Sequence, residues 1–286
     1  MAMNDARERF QERGFRMGET SAAEIRMKYL SSPAIRDAIQ SGCRTVVLPC
    51  GAIEQHGGHL PLSVDADHAS ELAVRVAGEL NALVAPTIEI GCSEHHMAFA
   101  GTLSVSPATL EAWFTDCCTS LARHGFERIL IFSAHMGNFD PLSDMADRLY
   151  DATPSGVEVV VFSDRALLLD TWRSVVEQHC GRGESVGGHA DIAETSIMMA
   201  LGRGLVHEDA LAPGFVGEPD SETLATVFEH GVQALSSNGV LGDPRGASAE
   251  LGQRCLDAVA SILVDTFASS AASSRTGTAA GVLDRT

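Results

Sequence analysis

Apolar runs alternate with helix-spaced stretches along most of this chain. Thr45–Pro49, Leu83–Ile90, Arg128–Ser133 and Val157–Phe162 are continuous runs rich in Val, Ile, Leu and Phe, the pattern of strands buried on both faces. Between them, residues 67–80 carry Leu72, Val74, Val76 and Leu80 on a predicted helix, residues 107–124 form a second with Pro107 in its first turn, and residues 141–150 a third. Residues 21–41 read as helix in two pieces broken at Ser32-Pro33, with Ile25, Tyr29, Leu30, Ile35 and Ile39 as candidate buried positions. Further helices are predicted near Asp164, over 190–202 and over 248–268. Buried strands separated by helices imply an α/β protein, a three-layer α/β/α sandwich around a mainly parallel sheet. No repeat occurs, and no linker interrupts Arg44 to Phe267. One domain over 21–268 is therefore expected, after an N-terminal extension (1–20) that is frayed or a peripheral helix and before a disordered Ser/Ala/Gly-rich tail (269–286).

Composition narrows the partners. A formal net charge of −18 opposes nucleic-acid binding, which needs a positive face for phosphates, and disfavours anionic membranes. No apolar run approaches the roughly 18 residues of a membrane span. The first ten residues carry charges where a signal peptide is apolar, so a cytoplasmic protein is expected. The seven cysteines include no C-x-x-C spacing and read as reduced, mostly buried thiols.

The candidate chemistry follows the predicted strand ends, the rim where α/β proteins bind ligands. Glu54, His56, His59, Asp65 and Asp67 follow the first strand; Ser93-Glu-His-His96 follows the second; His135 follows the third; His189 and Glu194 lie in Gly187-Gly-His-Ala-Asp-Ile-Ala-Glu194. Carboxylates and imidazoles without thiolates suit Zn²⁺ or Mn²⁺. Glu54 and His56 lie two apart and share a side in extended chain. Asp65 rejoins them only if Gly57 to Pro61 turns back, and its two oxygens can bridge two cations. Glu54, His56, Asp65 and His135 are thus metal-ligand candidates, with His59 supporting the loop. His95 and His96 line the pocket or serve structure. Asn138 orients substrate or caps a helix. His124, His179, His207 and His230 read as surface or packing residues.

These residues resemble the creatininase (creatinine amidohydrolase) family over about residues 44–268. The resemblance rests on Gly51-Ala-Ile-Glu-Gln-His-Gly-Gly-His-Leu-Pro-Leu with Asp65, Gly91-Cys-Ser-Glu-His-His, Phe99-Ala-Gly-Thr-Leu-Ser104, His135-Met-Gly-Asn138, His189-Ala-Asp-Ile-Ala-Glu-Thr-Ser196 and Ser237-Asn-Gly-Val-Leu-Gly-Asp-Pro-Arg-Gly-Ala-Ser248. It implies an α/β/α fold, usually two divalent ions (Zn²⁺ and/or Mn²⁺, with Fe²⁺ as a third choice), a homo-oligomer such as a hexamer, and hydrolysis of a cyclic amide, formamide or modified peptide. By position, Glu54, His56, Asp65 and His135 match the family's metal ligands, Asp65 bridging, and His189 matches a proton-handling histidine. Two departures stand out. Creatininase carries a ligand Glu where Gly137 stands, a place often Gly in the family, and Glu194 is the candidate replacement. Creatininase also carries Tyr and Glu where Met136 and Gly188 stand, which argues against creatinine as substrate.

The expected mechanism is attack of a metal-bound hydroxide on the amide carbon. The metals would lower the water's pKa from about 15.7 toward neutrality, and His189 would protonate the leaving nitrogen. Glu194 would complete the second metal shell or carry the proton. Ser93, His95, His96, Met136 and Asn138 would contact the small-molecule amide. A non-catalytic metal-containing scaffold that binds a metabolite or partner, and a hydrolase of a keto-sugar or lactone, are the alternatives.

Overall fold

The computed structural model describes residues 24–217 and 221–276. In chain order its helices are α1 (Ser32–Gln40), α2 (Val64–Leu80), α3 (Pro107–Arg123), α4 (Phe139–Ala152), α5 (Arg165–Cys180), α6 (Ile192–Leu201), α7 (Ser221–His230) and α8 (Ala249–Thr276). Strands β1 (Thr45–Cys50), β2 (Ala82–Val84), β3 (Arg128–Ser133) and β4 (Glu158–Phe162) form one parallel sheet in the order β2-β1-β3-β4. Alternate strand residues face opposite layers. Val47, Leu130 and Phe132 pack with Leu72 and Val76 of α2, Trp172 of α5 and Leu256 and Phe267 of α8. Val46, Leu48, Ile129 and Ile131 pack with Leu110 and Phe114 of α3 and Leu142 and Leu149 of α4. Burying each such side chain stabilises the fold by about 1.5–3 kcal/mol. The α/β/α sandwich holds.

Local chemistry sets the helix ends. Ser106 accepts from the Thr109 N–H with Pro107 next in line, and Asp164 accepts from the Leu167 N–H to start α5. Gly181 and Gly202 stop α5 and α6 in the left-handed conformation.

Several expectations need correction. The second strand keeps only three residues, because Pro86 lacks the N–H that a ladder needs; the chain touches β1 again at Ile88, opposite Cys50. Tyr29 is 62% exposed, since its segment forms a single 3₁₀ turn instead of an amphipathic helix. The last helix runs past 268 to Thr276, while the expected extension over 1–20 and the tail over 277–286 fall outside the described residues. The pattern also did not predict α7, or the antiparallel pair β5 (Val186–His189) and β6 (Leu241–Gly242).

Candidate metal centre

β1 and β3 end level, Cys50 opposite Ser133, so the chain leaves both strands at one rim. At Gly51 a Cβ would lie 2.5 Å from the Ala66 nitrogen, and this close approach seats the first turn of α2 against the strand end. The loop between turns back, with Gly57 at φ 67° and the Glu54 N–H donating to the Leu62 carbonyl at 3.0 Å. Asp65 is thereby the second residue of α2 rather than a loop residue, at the helix end that favours an anion.

The donors converge. Asp65 Oδ1 lies 3.4 Å from His56 Nε2, and Oδ2 lies 3.3 Å from His135 Nδ1. His56 Nε2 is 3.6 Å from Glu194 Oε2, and His135 Nδ1 is 3.3 Å from Glu54 Oε1. Two triplets result, Glu54/Asp65/His135 and His56/Asp65/Glu194, each with ligand atoms within 4.8 Å of one another and with Asp65 in both. A third, Glu54/His56/His189, puts His189 Nδ1 3.6 Å from Glu54 Oε1. All six side chains are buried.

Backbone carbonyls orient the imidazoles. His56 donates from Nδ1 to the Glu54 carbonyl, and His135 from Nε2 to the Cys92 carbonyl, both at 3.1 Å. The opposite nitrogens then present lone pairs inward, as metal-ligating histidines do. His189 donates from Nε2 to the Gln55 carbonyl at 2.8 Å. The Gln55 side-chain amide donates to His96 Nδ1 at 2.8 Å and to the Gly239 carbonyl at 3.1 Å, and His96 Nε2 faces Glu54 Oε1 at 3.2 Å.

Both oxygens of Glu54, His56 Nε2 and Asp65 Oδ2 are buried with no hydrogen-bond partner in the protein. Buried carboxylates in that state are costly unless a cation meets them, and mixed oxygen and nitrogen donors fit a divalent ion. The electrostatics agree. Burial alone would depress His56, but Asp65 and Glu194 override it and carry its pKa to about 10. His135 is likewise raised, against burial, chiefly by Glu54. Burial would raise Asp65, yet His56 and His135 hold it below the usual carboxylate range. Burial lifts Glu194 to about 8, and burial with His56 nearby depresses His189. A cluster that draws protons onto its imidazoles can take cations in their place.

A cavity open to solvent lies over the centre and is lined by His95, His96 and Met136 among the expected contacts. His95 stacks on His135 at 5.6 Å, and burial pulls its pKa to about 3. Ser93 and Asn138, expected as substrate contacts, are not among the residues that line it. Asn138 is wholly buried and makes no cap: its Oδ1 accepts from the Cys92 N–H at 2.8 Å, and its Nδ2 donates to the Gly51 carbonyl and to Ser133 Oγ at 3.0 Å. It ties together the three segments that leave β1, β2 and β3. Ser93 Oγ is equally buried, 3.4 Å from His135 Nε2. His59 stays outside the triplets and joins α6 through Thr195 Oγ1 at 3.0 Å.

Gly137 explains one departure. A Cβ there would run into His135 Nε2 and lie 2.6 Å from His95 Cε1, and the carboxylate beside His56 and Asp65 is that of Glu194, on α6. Sequence reasoning passed over Gln55, Asp191, Arg165, Phe215 and Phe228. Only Asp191 carried a usable signal, an Asp followed three residues later by Glu at a predicted helix start.

Comparison with known proteins places this geometry. The creatininase family model, described as creatinine amidohydrolase, matches residues 28–267. A mycofactocin precursor peptide peptidase of Mycobacterium ulcerans is 33% identical over 221 residues, covering 73% of this chain and 79% of the relative. A solved mutant creatininase of Zn-Zn type aligns at TM-score 0.67 and 26% identity, covering 86% of this chain and 99% of its own. A creatininase with Mn aligns at 0.66 and 26%, covering 85% and 97%.

Proposed function

The chain belongs to the creatininase family, and from that premise we propose that it is a metal-dependent hydrolase of an amide-type C–N bond other than that of creatinine. The observation that carries this reading is the pair of buried donor triplets hinged on Asp65. Glu54, Asp65 and His135 would hold one divalent ion, and His56, Asp65 and Glu194 a second, as Zn²⁺, Mn²⁺ or Fe²⁺. Such ions polarise a scissile carbonyl and bring the pKa of water toward neutrality.

The remaining steps belong to side chains. His189, locked by its Nε2–H on the Gln55 carbonyl, keeps the Nδ1 lone pair toward the centre, where it takes a proton from the attacking water and returns it to the leaving nitrogen. Glu194 is held by the Ala190 N–H at 2.5 Å with the same oxygen facing His56, the posture of a ligand rather than of a mobile proton carrier. His95 and His96 wall the cavity and limit water. Met136 and Leu169 close over Gly188, where a Cβ would lie 2.7 and 2.9 Å from their side-chain ends and the φ of 88° disfavours any side chain, an acidic one included. The peptidase relative's name describes action on a precursor peptide, an amide of the proposed class. A single catalytic domain over 21–268, a homo-oligomer such as a hexamer and a cytoplasmic setting complete the reading. No described helix is long and apolar enough to cross a membrane.

The test loads purified protein with Zn²⁺ or Mn²⁺ and follows amine release from formamides, lactams and short peptides. His189→Ala should keep its metal and lose about 10²–10⁴-fold in kcat. If the loaded wild type turned over nothing faster than Asp65→Ala, the hydrolase reading would fall and a metal-containing scaffold would replace it.

A further inference from the structure

The mouth of the cavity is built differently from its floor. The acidic donors Glu54, Asp65 and Glu194 are buried at its floor, whereas exposed Phe228 marks the mouth and Met136, Leu169, Phe215 and Val227 add an apolar wall. Among the described lining residues Arg165 is the one permanent cation, in a chain with 20 Lys and Arg against 38 Asp and Glu. Arg165 opens α5, and its Nη2 donates to the Met136 carbonyl at 3.3 Å and to Asp140 Oδ2 at 3.2 Å. Its guanidinium carbon lies 5.7 Å from the centre of the Phe228 ring.

The Asp140 pair does not account for this placement. The Asp140 side chain is 67% exposed, and such surface pairs contribute little. Met136 directly follows the metal-ligand candidate His135, so the guanidinium hangs beside the centre. Phe228 continues the wall inward: it packs on His95 at 4.9 Å, and His95 stacks on His135. Nη2 spends its two protons on the Met136 carbonyl and Asp140, so a substrate carboxylate would take the place of the exposed Asp140 carboxylate, an exchange suited to a planar guanidinium backed by an aromatic ring.

We propose that Arg165 forms a carboxylate subsite at the cavity mouth, so that the preferred substrates are amides with a free carboxylate beside the scissile bond and an apolar side chain against Phe228, Phe215 and Leu169. This rests on the amide-hydrolase reading and adds the charge and polarity of the substrate. A carboxylate fastened to Arg165 is also kept from competing for the cations, which leaves the amide carbonyl to approach them.

The test uses the metal-loaded full chain and two uncleavable ligands, N-methylsulfonyl-L-phenylalanine and N-methylsulfonyl-2-phenylethylamine, which differ only in the carboxylate. Calorimetry should show the carboxylate ligand binding at least about ten-fold tighter to wild type. The preference should fall by at least about five-fold in Arg165→Met and return in part in Arg165→Lys, with metal content and melting temperature unchanged. Attraction between carboxylate and metal is common to wild type and variant, so it cancels in the comparison. Equal binding of the two ligands, binding of neither, or an undiminished preference in Arg165→Met would overturn the subsite. If amides are hydrolysed but the preference is missing, only the subsite falls; if the preference is present and no amide is hydrolysed, the hydrolase reading falls and the carboxylate site stands.

Discussion

Asp65→Ala and Glu194→Ala should divide the centre unequally. Asp65 sends Oδ1 toward His56 and Oδ2 toward His135, so it serves both triplets, whereas Glu194 serves one. Glu194→Ala leaves Glu54/Asp65/His135 whole; Asp65→Ala breaks both sets. Plasma mass spectrometry after dialysis against Zn²⁺ or Mn²⁺ should find two equivalents in wild type, one in Glu194→Ala and less than one in Asp65→Ala. Heat stability should follow. A ligand at about 100 times its Kd stabilises by about 2.7 kcal/mol per site. For a chain of this size each kcal/mol raises Tm by about 2–4 °C, so each filled site is worth roughly 5–11 °C. Loading should therefore raise the wild-type Tm by about 10–20 °C, Glu194→Ala by half that, and Asp65→Ala by little. Two equivalents in Glu194→Ala would remove Glu194 from the ligand set, and one tight equivalent in Asp65→Ala would refute the shared carboxylate.

Three further outcomes are expected. Asp191→Ala removes a carboxylate that accepts from the Gly187, Gly188, Ala193 and Glu194 N–H groups; it should cost about 3–5 kcal/mol in urea unfolding and loosen the metal held by Glu194. His68, buried beside Trp172 with neither ring nitrogen bonded within the protein, has its pKa lowered by burial to about 4 from 6.5. As pH falls the unfolded chain takes this proton first, so stability is fully present above about 6.5, falls by about 3 kcal/mol between 6.5 and 4, and loses nothing more below; His68→Leu should lack this loss in pH-dependent denaturation. Gly137→Glu should displace His135 and reduce metal content rather than add a ligand, as metal analysis of the purified variant would show.

The sheet was legible because its central strands, β1 and β3, are buried on both faces. Arg128–Ser133 forms β3 with the expected ends, and α2, α3 and α4 lie within three residues of the predicted starts. Such strands need no knowledge of their neighbours to be read, since their central positions are all apolar. β5 was not readable for the opposite reason. Val-Gly-Gly-His has almost no hydrophobic signal, and its ladder exists only because Leu241–Gly242 arrives from fifty residues away. α7 lies beyond a Pro- and Gly-rich stretch and buries Val227 alone among the side chains described as buried on it, too little to show as periodicity.

The centre itself was readable as types of residue but not as an arrangement, and the segment around Glu194 shows why. Asp191 and Glu194 have the spacing of a capping box, in which the glutamate turns back to the N–H of the cap residue. Here Asp191 does cap α6, but Glu194 bonds the Ala190 N–H, one residue earlier, with the oxygen that also faces His56. The same Asp191 holds Gly187 and Gly188 through its second oxygen, so the strand bearing His189 and the helix bearing Glu194 are fastened to one side chain. A helix-start pattern thus doubles as the device that sets the distance between the Glu194 carboxylate and the His189 imidazole. Sequence alone offers the cap and the histidine separately. Their coupling exists only once Ala190 takes its positive φ of 54° and turns the two elements toward the rim where Asp65 waits.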